Sequence, residues 1–351
     1  MSSTLRIAQI GPVARALPPP GAGSVELVTW LLTEGLVARG QNVTLFATAD
    51  TRTSARLHAI YPHGYCHDPG MWPWEMHELL NLAAAIERAD QFDVIHVQAE
   101  YYPMSLAFTR LCRTPIIQTL HYLPKPTETT LWTRYPEAPF TAISQEQARL
   151  LAGLNVIGTV PHGVDTRAFA FRAEPDDYLV FLGRFTEGKG VLQAIDVARR
   201  AGLRLLLAAE ENDYYRTHVA PHVDGDRVQY VGEVGHERKV ALLGGARALL
   251  YPLQAGEAFG LVLVEAMACG TPVAALDRGA VGEIVDTGLT GGIFASEDAM
   301  LAGLPAVMAL DRRAVRARAV ERFDYLAMAD QYIALYEQLL RHPAQPHGRI
   351  A

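Results

Sequence analysis

Short, almost wholly apolar runs, each followed by a longer amphipathic one, recur along this chain in two blocks, and that rhythm constrains its fold more than any other feature. In the first block LRIAQIG (5–11), NVTLFAT (42–48), FDVIHVQ (92–98), TPIIQTL (114–120) and FTAIS (140–144) alternate with the runs 25–39, 76–89 and 103–112. Such runs are too apolar for half-exposed strands and predict parallel strands covered on both faces, joined by crossover helices. After NVIGTVPHGVD (155–165) the stretch 166–177 turns polar and proline-containing, which predicts a linker. The rhythm then restarts with YLVFLGR (178–184), the run 191–200, LRLLLAA (203–209), RVQYVG (227–232), ARALLYP (246–252) and an apolar helix after Gly260. At 351 residues the chain has room for two domains of roughly 150–200 residues each. The reading is therefore α/β, two doubly wound Rossmann-like domains facing a central cleft: 1–165, a linker 166–177, then 178–324. Residues 325–351 follow, with helical apolar spacing over 325–340. Ligands of open α/β sheets lie beyond the carboxyl ends of the strands, so the cleft is the expected site.

The chemistry concentrates in QAGEAFGLVLVEAMACGTPV (254–273). Gly256 and Gly260 permit a tight turn, and the run 261–269 reads as a helix apolar on nearly every face, hence buried. Glu265 inside that helix needs a donor, because an unpaired buried polar group costs about 1–3 kcal/mol. The simplest partner is an arginine or a backbone amide. Glu257 precedes the helix, and the amides near Phe259, Gly260 and Leu261 are helix-start donors that suit an anion. An anion and hydroxyl groups fit this segment together.

A second segment, YLVFLGRFTEGKGVLQAIDVARR (178–200), reads as strand, glycine loop and helix with Lys189 at the helix start. A cation there opposes the helix dipole unless an anion lies between them. Arg184 offers a planar fork of donors on the other side of the loop. The pair describes a diphosphate clamp, with a structural ion pair to Glu187 as the plain alternative.

These two segments resemble those of the retaining glycosyltransferases of family four, whose fold is called GT-B, and the resemblance covers nearly the whole chain. It matches Glu257 and Glu265 to the family's E-x7-E motif, so that Glu257 contacts the transferred sugar and Glu265 holds the nucleotide's ribose hydroxyls. It assigns Arg184 and Lys189 to the donor phosphates, with the Phe259, Gly260 and Leu261 amides beside them. In the first domain it matches Gly23 and Ser24, within GSVE, to a loop covering the diphosphate, and His121 to a catalytic histidine beside the transferred sugar. His96 falls where the family shows H-x-H near the acceptor, with Gln98 for the second histidine. VPHGVD carries His162 where the family has asparagine, and is read as structural. The last helix is expected to cross back to the first domain. The activity implied is retaining, metal-independent transfer of a hexosyl unit from a UDP- or GDP-sugar to an acceptor hydroxyl, with no cofactor beyond that donor substrate. The acceptor is a small molecule, a glycan or a lipid. A sugar-nucleotide 2-epimerase of the same fold is the alternative, followed by a non-catalytic sugar-nucleotide binder, against which Glu257 beside the clamp argues.

Other motifs are weaker. Gly183, Gly188 and Lys189 satisfy G-x4-G-K, but Gly190 stands where a P-loop needs a hydroxyl for magnesium. Gly21 and Gly23 begin a dinucleotide fingerprint that fails at Glu26 and at Pro18–Pro20. Asp224-Gly225-Asp226 is an ordinary turn rather than a metal-binding D-x-D, and His63, Cys66 and His67 lack a fourth zinc ligand. A net charge of −7 argues against nucleic-acid binding. Three scattered cysteines, no leader-like N-terminus and no apolar run of about 18 residues point to the cytoplasm without a transmembrane segment. Arg312, Arg313, Arg316, Arg318 and Arg322 make one helix basic; a solvated face is the expectation, with peripheral membrane contact as the alternative.

Overall fold

The computed structural model describes residues 4–21, 23–99 and 102–341. The chain divides into two compact units, one made of residues up to Gly163 together with those from Tyr325 onward, the other of Val164–Asp324. The stretch 166–177 is thus grouped with the second unit.

The first unit holds seven parallel strands: β1 (Arg6–Ile10), β2 (Asn42–Phe46), β3 (Arg56–His58), β4 (Val94–Ala99), β5 (Ile116–Leu120), β6 (Pro139–Ala142) and β7 (Asn155–Thr159). Their order is β3-β2-β1-β4-β5-β6-β7, so the winding reverses between β1 and β4. All five β5 residues are buried, which is why its sequence shows no alternation. The short β3 escapes the sequence rhythm because only Leu57 between Arg56 and His58 is apolar. The crossover before β5 contracts to a 3₁₀ segment, Met104–Phe108, opened by Pro103. The helix Tyr325–Arg341 lies against the helix Ser24–Ala38 at a small-residue contact, where a Cβ on Gly35 would fall 2.8 Å from that of Ala329. A bidentate Arg39–Asp330 pair at 2.6 and 2.7 Å closes the same contact.

The second unit has six parallel strands: β8 (Leu179–Leu182), β9 (Leu205–Ala208), β10 (Val228–Tyr230), β11 (Ala248–Tyr251), β12 (Val273–Leu276) and β13 (Gly291–Phe294). Their order, β10-β9-β8-β11-β12-β13, reverses between β8 and β11. Leu179, Phe181, Leu205, Leu207 and Leu250 meet Val191, Ile195 and Leu304 in its core. Both candidate segments of this unit follow the strands at the reversal, the glycine loop after β8 and the Glu257 loop after β11. Crevices of open α/β sheets form at such points.

Candidate active site

The loop after β8 and the loop after β11 are tied together through the backbone. The amides of Gln254 and Ala255 both donate to the Gly188 carbonyl, at 2.9 and 3.3 Å. Gly190, at φ 72°, leads into the helix Val191–Ala201, and a Cβ there would fall 1.9 Å from the Pro252 carbonyl oxygen. That contact sets Lys189 beside Glu257. Lys189 turns away from the exposed Glu187 and donates its Nζ to Glu257 Oε2, so the simple alternative of a Lys189–Glu187 pair is not what forms. Tyr251 Oη donates to the same oxygen at 2.7 Å, and the Ala258 amide to Oε1 at 3.2 Å. Burial would raise the Glu257 pKa, but the Lys189 charge and these hydrogen bonds outweigh it and hold the carboxylate below its usual range. Tyr251 is pushed up by burial and by that negative neighbour, so it remains a donor. Gly279, at φ 57°, packs on the Glu257 backbone, and the Ala280 amide donates to the Glu257 carbonyl at 2.9 Å. Arg184, at the other end of the glycine loop, is exposed.

Gly260 caps the helix Leu261–Ala268 without a side-chain hydrogen bond, so the Leu261 and Val262 amides have no acceptor within the helix. Phe259 is buried edge-on against Phe323, with ring centroids 6.0 Å apart. Glu265 is buried in the middle of the helix, and its partner is neither an arginine nor a backbone amide: Lys239, from the helix His236–Gly245, donates to Oε1. Sequence reasoning missed Lys239 and Tyr251. A signal was present, because the chain has only three lysines, Lys125, Lys189 and Lys239, and two of them end on the two glutamates of the motif.

Gly23, Ser24 and His121 belong to the first unit. Gly23 caps the helix Ser24–Ala38 and is crowded by Pro19 and Glu26, while Ser24 is exposed. His121 follows β5 and is half-buried. Its Nε2 donates to Gln98 Oε1 at 3.0 Å, and its Nδ1 faces His162 Nε2 at 3.2 Å, the two rings stacked 5.0 Å apart. His162, read as purely structural from sequence, is therefore the partner that fixes the His121 ring. His96 is fully buried between Tyr336 Oη and Thr119 Oγ1, each at 2.7 Å, which places it in the packing of the last helix rather than on an exposed face. Burial lowers His96 and His121 to about 3, and burial followed by the His121 charge takes His162 well below its usual value.

These shifts give a sign to acid stability. The unfolded chain takes up protons on these histidines below about pH 6.5, whereas the folded unit does not until far lower pH. Their contribution is complete above about pH 6.5 and is lost on acidification, at up to about 1.4 kcal/mol per pH unit for each histidine. Thermal melts at pH 7, 6 and 5 are expected to show a falling midpoint, and His162→Asn is expected to make that fall shallower. An unchanged pH slope in the variant would contradict the assignment.

Four of the five arginines of the basic helix reach partners within the chain, and Arg313 is exposed over the Phe171 ring. Arg312 is buried and donates to the carbonyls of Arg172, Ala246 and Gly244 and to Thr271 Oγ1, at 2.6–2.9 Å. Arg316 holds the Phe169 and Thr166 carbonyls, and Arg318 and Arg322 share Asp286. The Asp224–Asp226 segment is a turn, with Asp224 Oδ1 accepting from the amides of Asp226 and Val228. No group of histidine, cysteine and acidic residues among the described residues has metal-binding geometry, and no described helix is long and apolar enough to cross a membrane.

Comparison with known proteins agrees with the two-unit organisation. The family model described as Glycosyltransferase Family 4 matches residues 25–168, and that described as Glycosyl transferases group 1 matches residues 165–319. A phosphatidyl-myo-inositol mannosyltransferase of Mycolicibacterium smegmatis is 29% identical over 280 residues, 70% of this chain and 71% of the relative. Among solved structures, AviGT4, a glycosyltransferase involved in avilamycin A biosynthesis, is 25% identical with a TM-score of 0.72, covering 96% of this chain and 98% of its own. Sucrose-phosphate synthase from Thermosynechococcus elongatus shares the fold at a TM-score of 0.76 and 22% identity, over 96% of this chain and 99% of its own. The chain belongs to glycosyltransferase family four and has the GT-B architecture.

Proposed function

We propose that this protein transfers a hexosyl unit from a nucleoside diphosphate sugar, a UDP- or GDP-sugar, to an acceptor hydroxyl with retention of anomeric configuration. The observation that carries the reading is the pairing of Lys189 with Glu257 on two loops locked together at Gly188 and Gly190. It sets a phosphate-seeking cation directly beside a carboxylate suited to sugar hydroxyls. Arg184, Lys189 and the helix-start amides after Gly260 would stabilise charge growing on the leaving diphosphate, the work of preorganised donors. The reading assigns that work to these groups rather than to a metal ion. Glu257 would orient the sugar hydroxyls and steady positive charge at the anomeric carbon. Glu265 would take the ribose hydroxyls, and His121, with Gly23 and Ser24, would contribute from the first unit. The acceptor is a small molecule, a glycan or a lipid. The three free cysteines accord with a reducing cytoplasm.

The test is thermal stabilisation by UDP, GDP, ADP, dTDP and NAD and by sugar conjugates of the diphosphates. The likeness to a mannosyltransferase puts a mannosyl donor in that panel. A ligand at about 100 times its dissociation constant adds about 2.7 kcal/mol, a shift of roughly 5–10 °C for units of this size. Selective stabilisation by one nucleoside diphosphate and its sugar is the expected result. A response to NAD alone would overturn the reading.

A further inference from the structure

Elsewhere arginine forks grip carboxylates through both oxygens, at the exposed Asp330 and Asp176 and the half-buried Glu137. Arg39 holds both oxygens of Asp330, Arg110 both of Glu137 and Arg172 both of Asp176. The buried Glu265 is held differently. Lys239, a compact point charge, occupies Oε1 only, and Oε2 has no hydrogen-bond partner among the described residues. The lysine is itself held. Its ammonium lies 5.6 Å from the centre of the Phe169 ring, and that ring is fixed edge-on by His236 at 5.2 Å. His236 in turn bonds the Ala168 carbonyl at 3.1 Å, and Arg316 holds the Phe169 carbonyl at 2.5 Å. The buried carboxylate is thus neutralised on one side and left able to accept on the other. An arginine at the same place could close both oxygens with its fork.

We infer that Lys239 is a positioning residue for the donor nucleotide: by taking one oxygen of Glu265 it presents the other to the ribose hydroxyls and so sets a preference for ribonucleotide over deoxyribonucleotide donors. This rests on the reading of Glu265 as the ribose contact. A site built to bond a hydroxyl rejects the analogue that lacks it, because its own polar group is then left unpaired. The loss of one charge-assisted bond corresponds to about 10- to 100-fold in affinity.

The experiment is titration of the full-length protein with UDP and GDP and with their 2′-deoxy and 3′-deoxy forms, for the native chain, Lys239→Arg and Lys239→Met. The native protein is expected to favour the ribonucleotide by about tenfold or more. Lys239→Arg keeps the ion pair, so its melting temperature is expected to stay within a few degrees of the native value, yet its preference should fall below about threefold as the second oxygen is covered. If Lys239 only neutralises Glu265, Lys239→Arg keeps the full preference, and that result overturns the inference. Should the arginine variant not fold, Lys239→Met is read in its place: a ribose preference that survives without any partner on Oε1 overturns the inference equally. A native protein that binds ribo and deoxy forms alike sinks the ribose assignment while leaving diphosphate binding intact. One that binds no nucleoside diphosphate sinks the donor reading itself.

Discussion

Glu257→Gln is expected to slow sugar transfer by about 10²- to 10³-fold, the usual effect of removing one preorganised electrostatic group from a reacting centre. The substitution keeps the shape of the side chain and its hydrogen-bonding reach toward Tyr251 and the Ala258 amide. It removes the negative charge that Lys189 now faces. Nucleoside diphosphate binding should therefore hold or tighten slightly, because the ammonium no longer has a competing carboxylate. Steady-state kinetics together with nucleotide titration separate the two effects. Undiminished turnover with intact binding would remove Glu257 from the reaction, and a parallel loss of both would make it a structural residue of the loop.

Gly190→Ala is expected to have the largest effect on stability. The position combines a left-handed backbone, φ 72°, with a site where a Cβ would fall 1.9 Å from the Pro252 carbonyl oxygen. A non-glycine residue in that conformation costs about 1–3 kcal/mol, and forcing extra volume into a packed contact adds about as much again. A loss of about 2–6 kcal/mol follows, or at least several degrees in melting temperature for a unit of this size. If the loop instead shifts to relieve the contact, Lys189 moves away from Glu257, and diphosphate affinity should fall with it. A variant with native melting temperature and native nucleotide affinity would contradict the packing described for the loop.

The parts that were legible in sequence are those fixed by local pattern. The parallel sheets could be read from β1, β2 and β8, because burial on both faces removes the alternation that an exposed face would impose. The glycine loop and the helix after Gly260 were legible for the same reason, since a turn and a helical period are written within a dozen residues. The partners of the glutamates were not. Lys239 lies 26 residues from Glu265 on a different helix, and Lys189 lies 68 residues from Glu257, distances bridged only by the winding of the sheet. His121 and His162, 41 residues apart, meet for the same reason. At the arginine helix, charge counting could not see that Arg312 is buried among acceptors. Arg312 ends on the Gly244 and Ala246 carbonyls at the close of another helix, and such backbone groups leave no mark in composition.

The most direct measurement is proton NMR of the first-formed product when the stabilising donor is offered to a panel of acceptor alcohols. A glycoside with the same anomeric configuration as the donor is the expected product. An inverted glycoside would contradict the retaining reading, and release of nucleotide with a 2-epimerised sugar and no glycoside would replace transfer with epimerisation.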